Sequence, residues 1–111
     1  HLYLHSFPTR RSSDLSHIFK EAKSVGTKVS LCGEMASDTL AVPVLIGLGL
    51  DSFSISPSTI PYIKKIIRSI TYKKAKALAE ECLTMSSEEE IVKLIEKFFK
   101  VNSIQRTRNI L

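Results

Sequence analysis

Tryptophan is absent from the 111 residues, and aromatic side chains make up only 7% of them. So few aromatic rings leave little surface on which bases could stack, which argues against a module that binds single-stranded nucleic acid.

Cysteine is also scarce. Cys32 and Cys82 lie far apart and form no Cys-x-x-Cys pair, so neither a disulfide framework nor a zinc site is indicated. Both thiols are expected to be free.

Long apolar runs are missing as well. Nothing approaches the roughly 18 consecutive apolar residues of a membrane-spanning helix, and the first residues lack the apolar core of a secretory signal. The chain of 111 residues, 43% of them hydrophobic, is long enough for one modest core. We therefore expect at most one domain, cytoplasmic and without membrane insertion.

Basic residues exceed acidic ones, 16 against 11, which gives a net charge of +5. Clustered cations attract phosphates, so this excess could indicate a nucleic-acid or anionic-surface module. The cations are spread out, however, with arginine pairs near both termini and lysines along a stretch that has an apolar face. Solvated faces of amphipathic helices explain this distribution better. A small basic interaction module stays the alternative from a different functional class.

Hydrophobic periodicity divides the middle of the chain into alternating helices and strands. The predicted elements are a helix over residues 16–25, a strand over 28–32, a helix over 40–48, a strand over 51–56, a helical region from 60 that a second helix over 72–83 continues, and a last helix after residue 87. This order is typical of a parallel α/β sheet. Two parallel strands need further strands beside them, so we expect the C-terminal βαβα portion of a larger (β/α)8 TIM barrel, incomplete as given.

Several local features accompany these elements. The predicted caps are Asp38 before the second helix, Gly47 and Gly49 at its end, the segment Pro57-Ser58-Thr59 before the third and a capping box of Ser87 and Glu90 before the last. The predicted buried faces are Ile60, Ile63, Ile67 and Ile70, then Ala75, Leu78, Ala79 and Cys82, then Ile91, Leu94, Ile95 and Phe98. Residues 1–15 show no period and are interpreted as an unrelated or artefactual leader, and residues 102–111 as a polar tail.

The tripeptide Cys32-Gly33-Glu34 stands at the end of the first predicted strand. In parallel α/β folds, and in (β/α)8 barrels above all, active sites are built at that edge. Position alone favours a small packed thiol beside a surface carboxylate. The tripeptide is therefore a candidate site that needs support from its surroundings.

That support comes from a longer pattern. The segments Cys32-Gly33-Glu34-Met35-Ala36-Ser37-Asp38 and Gly47-Leu48-Gly49-Leu50-Asp51-Ser52-Phe53-Ser54-Ile55-Ser56 closely resemble the C-terminal end of enzyme I of bacterial phosphotransferase systems, the phosphoenolpyruvate-protein phosphotransferases. The resemblance runs over residues 16–101. Ser37 and Thr39 depart from the glycine and proline that are usual there. Met35-Ala36 favours this family over the related pyruvate phosphate dikinases and phosphoenolpyruvate synthases, which stay alternatives.

The resemblance implies a fragment of the PEP-utilising barrel domain, in which Cys32 protonates the enolpyruvate left after phosphoryl transfer to an enzyme histidine. A cysteine, with an ordinary pKa of about 8.5, can donate that proton near neutrality, whereas a serine hydroxyl is too weak an acid. Gly33 would let the backbone approach substrate, and Glu34 would order the loop, although a solvent-facing carboxylate explains Glu34 equally well.

The remaining implications concern groups outside this chain. The resemblance assigns Mg²⁺ to carboxylates upstream, the phosphocarrier protein to an N-terminal part, and the homodimer to the complete enzyme. None of His1, His5 and His17 matches the phosphorylated histidine. The chain by itself is therefore expected to be inactive.

Overall fold

Two short parallel strands form the sheet in the computed structural model, which describes residues 12–32 and 40–104. Strand β1 comprises Ser30–Cys32 and strand β2 comprises Ser52–Ser54. The Cα register pairs Ser30 with Ser52, Leu31 with Phe53 and Cys32 with Ser54. The predicted strands were thus right in place and pairing class but too long, because only three residues of each take part in the ladder.

Helices make up most of the described residues. Their bounds are α1 Ser12–Ser24, α2 Ala41–Leu48, α3 Ile60–Ser69, α4 Tyr72–Leu83 and α5 Glu88–Val101, with a 3-10 turn at Pro57–Thr59. The chain is therefore a mostly helical α/β unit in which α2 connects the two parallel strands. The predicted order of helices and strands is confirmed, and the bounds of α4 agree with the prediction residue for residue.

Helix α1 begins at Ser12, four residues before the predicted start at residue 16. The earlier start has two physical causes. Asp14 lies in the first turn, where a carboxylate suits the helix dipole. Leu15 is 1% exposed and lies one helical turn from the equally buried Phe19, so both belong to the core. The predicted start of the first helix at residue 16 was wrong, and residues 1–11 lie outside the described part of the chain.

Helix α2 is buried on nearly every side. Its first five residues, Ala41, Val42, Pro43, Val44 and Leu45, are all buried, and Pro43 lies in the first turn as predicted. The end of the helix is also as predicted: Gly49 adopts φ 107° and its N–H is bonded to the carbonyls of Ile46 and Leu45. The capping residue Asp38 lies outside the described residues.

Gly47 has a different role from the predicted one. It lies inside α2, where a Cβ would collide with the Ala75 carbonyl of α4 and come within 2.9 Å of the Ala79 Cβ. The missing side chain therefore allows α2 and α4 to approach closely. Capping by Gly47 was a wrong prediction, because the sequence does not show which helix lies across this face.

Helix α3 corrects two further predictions. Thr59 is buried, but its hydroxyl lies 2.9 Å from the Ser56 hydroxyl and makes no cap hydrogen bond to α3. The buried face consists of Ile63 and Ile66, whereas Ile67 is 42% exposed. Ile60 and Ile70 are half-buried. The predicted stripe was therefore rotated by about one residue, since a 3.6-residue period fits either neighbour in a helix this rich in isoleucine.

Helices α4 and α5 both carry side-chain caps. Thr71 Oγ1 accepts a hydrogen bond from the Lys74 N–H at 3.2 Å, and Ser87 Oγ accepts one from the Glu90 N–H at 3.2 Å. The second bond confirms the Ser87 half of the predicted capping box. On α4 the four predicted residues, Ala75, Leu78, Ala79 and Cys82, are all buried.

The inward face of α5 differs in part from the predicted one. Ile91 and Ile95 are buried as expected, whereas Leu94 and Phe98 are only half-buried and the unpredicted Phe99 is 2% exposed. Beyond the helix the backbone reverses at Ser103, whose φ is 56°, and the Ile104 N–H donates to the Phe99 carbonyl at 2.8 Å. Ile104, which falls in the predicted polar tail, therefore belongs to the core.

Replacing Gly47 with alanine tests the close approach of α2 and α4. In an ordinary helix interior, replacing glycine with alanine raises the free energy of unfolding by roughly 0.5–1 kcal/mol. Here we expect the free energy of unfolding to fall by about 1–3 kcal/mol instead, because the methyl group has no space against the Ala75 carbonyl. Urea unfolding followed by circular dichroism measures the difference.

The matched control is Gly26→Ala, which adds the same methyl group where no atom lies within 4 Å but φ is +74°. That variant is expected to lose only the roughly 1–2 kcal/mol of a left-handed backbone. A Gly47→Ala protein more stable than the parent would contradict the packing described for α2.

Candidate functional site

The carboxyl ends of β1 and β2 meet at one edge of the sheet. The last residue of β1, Cys32, is paired in register with Ser54, the last residue of β2. This places the backbone of the candidate cysteine at the edge where parallel folds build their sites, as predicted. Gly33 and Glu34 lie outside the described residues, as does the side chain of Cys32.

An unpredicted residue, Asp51, fixes how the two strands meet. Its carboxylate Oδ2 accepts a hydrogen bond from the Val29 N–H at 2.8 Å. The Val29 carbonyl in turn accepts from the N–H groups of Asp51, at 3.1 Å, and Ser52, at 3.3 Å. We call this arrangement the Asp51–Val29 clasp. The only sequence signal for it was an acidic residue at the start of a strand, between Gly49-Leu50 and the first serine.

The side chains of β2 alternate as the sequence predicted. Ser52 and Ser54, and Ser56 just beyond the strand, are exposed, whereas Phe53 and Ile55 are half-buried against the core. A groove of about 530 Å³ follows this strand. Its lining consists of Asp51, Ser52, Phe53, Ser54, Ile55, Ile60, Ile63, Lys64 and Ile67. Small hydroxyl side chains thus share the sheet edge with apolar ones.

Cys82 is unsuited to nucleophilic chemistry. It is a free thiol, 1% exposed, and packs in the core as predicted. Burial, and to a lesser degree the charge of Glu81, raises its pKa from 9.0 to about 11. The thiol is therefore neutral at physiological pH, and the thiolate that would act as nucleophile is disfavoured.

The other candidate groups are dispersed. His17 is exposed on α1, with its Nε2 3.8 Å from Glu21 Oε1, as expected for a residue of a surface helix. Across residues 12–32 and 40–104, no three side chains of histidine, cysteine, aspartate or glutamate are grouped so that they could hold a metal ion. The described residues thus do not fit a Mg²⁺ site.

A comparison with protein-family models shows which family the part of the chain with the two strands belongs to. Residues 5–72, which include both strands and the helix between them, match the model described as "PEP-utilising enzyme, PEP-binding domain". The chain belongs to this family of PEP-utilising enzymes. The match ends at the first residue of α4, so it covers both strands and the residues of the clasp.

The chain resembles curated relatives that share one name. It is similar to phosphoenolpyruvate-protein phosphotransferases from Listeria monocytogenes (47% identical over 85 residues, 77% of this chain and 14% of the relative), Haemophilus influenzae (38% over 90 residues, 81% and 16%) and Bacillus subtilis (39% over 83 residues, 75% and 15%). The chain thus spans about one seventh of the length of these relatives. Among its described helices, none has both the length and the apolar character that a membrane crossing requires.

The Asp51–Val29 clasp can be tested by Asp51→Ala. Loss of the carboxylate leaves the Val29 N–H without its 2.8 Å acceptor. We expect the free energy of unfolding to fall by about 1–2 kcal/mol, since a bond to a charged group at an exposed site stabilises less than a buried one. Amide hydrogen exchange at Val29 should accelerate. The Asp51→Asn variant keeps one acceptor oxygen, so its free energy of unfolding should fall by less.

The control for this experiment is Glu80→Ala, which removes an exposed carboxylate from α4. It should change neither stability nor exchange at Val29 measurably. Equal losses in Asp51→Ala and Glu80→Ala would mean that net charge, and not the clasp, is responsible.

The buried thiol predicts a pH dependence. Because folding raises the pKa of Cys82 from 9.0 to about 11, the stability linked to the neutral thiol is fully present below pH 9 and is lost as pH approaches 11. Unfolding free energies measured across that window should fall more steeply for the parent than for Cys82→Ala. Parallel pH profiles for the two proteins would contradict this assignment.

Proposed function

We propose that the chain is the C-terminal βαβα portion of the (β/α)8 barrel of a phosphoenolpyruvate-protein phosphotransferase. The observation that carries the proposal is the pairing of Cys32 with Ser54 at the carboxyl edge of a parallel sheet, in a chain of the PEP-utilising family. Two three-residue strands are too few for a stable parallel sheet, so further strands beside them complete the fold. The shared name of the three curated relatives favours this activity over that of the related dikinases and synthases.

The complete enzyme transfers the phosphoryl group of phosphoenolpyruvate to one of its histidines and then to a phosphocarrier protein for sugar uptake. The first transfer breaks the bond between the phosphorus and the enol oxygen and leaves the enolate of pyruvate. Carbon 3 of this enolate then takes the proton of the Cys32 thiol, so that a C–H bond forms, the S–H bond breaks and pyruvate leaves. The resulting thiolate regains a proton from water. In reverse, the thiolate removes a proton from the pyruvate methyl group.

The neighbours of Cys32 have supporting roles in this proposal. Gly33 allows the backbone to approach the substrate, and Glu34 orders the loop or a water molecule near the thiol. In the complete enzyme, carboxylates elsewhere in the longer protein would hold Mg²⁺, which would supply charge stabilisation for the phosphoryl group. The proton transfer proposed here uses only the thiol and the substrate carbon.

The wider assembly follows from the same proposal. The enzyme works in the cytoplasm as a homodimer through its barrel domain, and the phosphocarrier protein docks on its N-terminal part. The chain described here would contribute one edge of the substrate site. By itself it is expected to transfer no phosphate, since the histidine and the metal-binding carboxylates are outside it.

A chimera tests the role of Cys32. In the Listeria monocytogenes relative, the 85 matched residues are replaced by those of this chain. The chimera should phosphorylate phosphocarrier protein from phosphoenolpyruvate. Cys32→Ala in the chimera should lower turnover by about 100-fold or more, the usual contribution of a general acid. It should also abolish exchange of the pyruvate methyl protons with deuterated water, while circular dichroism stays unchanged.

Cys82→Ala is the matched control, because it removes the other thiol from a packed helix. Its turnover should stay within about twofold of that of the unsubstituted chimera, even if the protein becomes less stable. A truncated core side chain far from the substrate affects folding and not the reaction. Unchanged turnover in Cys32→Ala, or equal losses in both variants, would overturn the assignment. The 111-residue chain alone serves as the negative control.

A further inference from the structure

A small cavity lies where α1, the end of α2 and one side of α4 meet. Its volume is about 180 Å³, and none of its lining residues belongs to β1 or β2. Its polar lining consists of Ser16, Lys20, Lys23, Tyr72, Lys76 and Glu80. The cavity is therefore separate from the sheet edge to which the proposed reaction is assigned.

The charges around the cavity are unbalanced. Lys20 and Lys23 lie on one face of α1 and Lys76 faces them from α4, whereas Glu80 is the single acidic residue of the lining. Within residues 12–32 and 40–104, no ion pair within 4.0 Å joins Glu80 to any of these lysines. Three lysines against one glutamate give the lining a net positive charge, which would attract an anion.

A buried hydroxyl strengthens the case. Ser16 is 7% exposed and lines the cavity, yet its hydroxyl makes no hydrogen bond to the part of the chain that the structure describes. Buried polar groups in native proteins almost always have a partner. A ligand oxygen in the cavity would supply one for Ser16, and the phenol of Tyr72 is available as a second donor at the rim.

Lys23 has a structural role as well. Its Nζ would lie 3.4 Å from a Cβ placed on Gly49, so it sits at the carboxyl end of α2, where a cation suits the helix dipole. Lys20 and Lys76 have no such role, and they are the better positions for a test.

We propose that this cavity binds the phosphate group of a small anion, held by Lys20, Lys76 and the Ser16 hydroxyl. The size favours a small ligand, since cavities for drug-sized molecules are about 300–1,000 Å³. The donors favour phosphate, because ammonium groups bind it as point charges, and a phosphate group offers more negative charge and more acceptor oxygens than a carboxylate. Both inorganic phosphate and a phosphorylated metabolite carry this group.

Titration of the complete 111-residue chain at constant ionic strength tests the proposal. Inorganic phosphate, phosphoenolpyruvate and pyruvate are added separately, and binding is followed by ¹H–¹⁵N NMR shifts. Saturable shifts at Ser16, Lys20 and Lys76 are expected for the first two probes and not for pyruvate. The tighter of the two identifies the source of the phosphate group. Absence of saturable shifts with both phosphates, or equal binding of pyruvate, would overturn the proposal.

Variants distinguish phosphate binding in the cavity from non-specific attraction by positive charge. Lys20→Gln combined with Lys76→Gln should weaken phosphate binding by about tenfold or more, as expected for the loss of two charge-assisted contacts. Ser16→Ala should weaken it by about threefold or more, as expected for one neutral hydrogen bond. The matched control, Lys65→Gln with Lys100→Gln, removes equal charge from exposed positions of α3 and α5 and should change the affinity less than twofold. Equal weakening by both pairs would show non-specific attraction and refute the site.

Discussion

The parallel pairing of β1 and β2 depends on the Asp51–Val29 clasp. Each strand contributes only three residues to the ladder, so few backbone hydrogen bonds define which residues are opposite each other. A shift by one residue would exchange the two faces of a strand. The carboxylate of Asp51 accepts from Val29 immediately before β1, and the Val29 carbonyl accepts from the start of β2. The positions of Cys32 and Ser54 at the same edge follow from this fixed start.

The helices supply the stability that so small a sheet lacks. Helix α2 connects the strands and is buried along its first five residues, while Gly47 lets α4 approach its backbone. Helix α4 presents two alanines and Cys82 to the core, and small side chains suit so short a distance between helices. The strand ends are thus held by a packed helical layer.

Features that depend on neighbours in sequence were predictable. Ser87 precedes a glutamate by three residues, Gly49 follows an apolar run, and α4 has a clear period, and all three predictions are confirmed. Features that depend on a partner distant in sequence were not. The true role of Gly47 requires knowing that Ala75 lies across it, and the early start of α1 follows from the burial of Leu15. The hydroxyl of Thr59 is bonded to Ser56 and not to its own helix because local alternatives compete.

The candidate site shows the same division. The sequence places Cys32 at a strand end through alternation and a resemblance, and the structure places its backbone there. The residue that sets this position, Asp51, was read only as the first residue of a strand, because nothing local marks a carboxylate that accepts from a backbone group on another strand.

Helix α5 is fastened at both ends, by the Ser87 hydroxyl at its start and by the reversal at Ser103 that brings Ile104 into the core. Helix ends usually fray, so the position at which the following chain leaves the helix is then poorly defined. Here the polypeptide departs from a fixed point on the core. A label placed on this end of α5 would therefore keep a defined distance to the sheet edge.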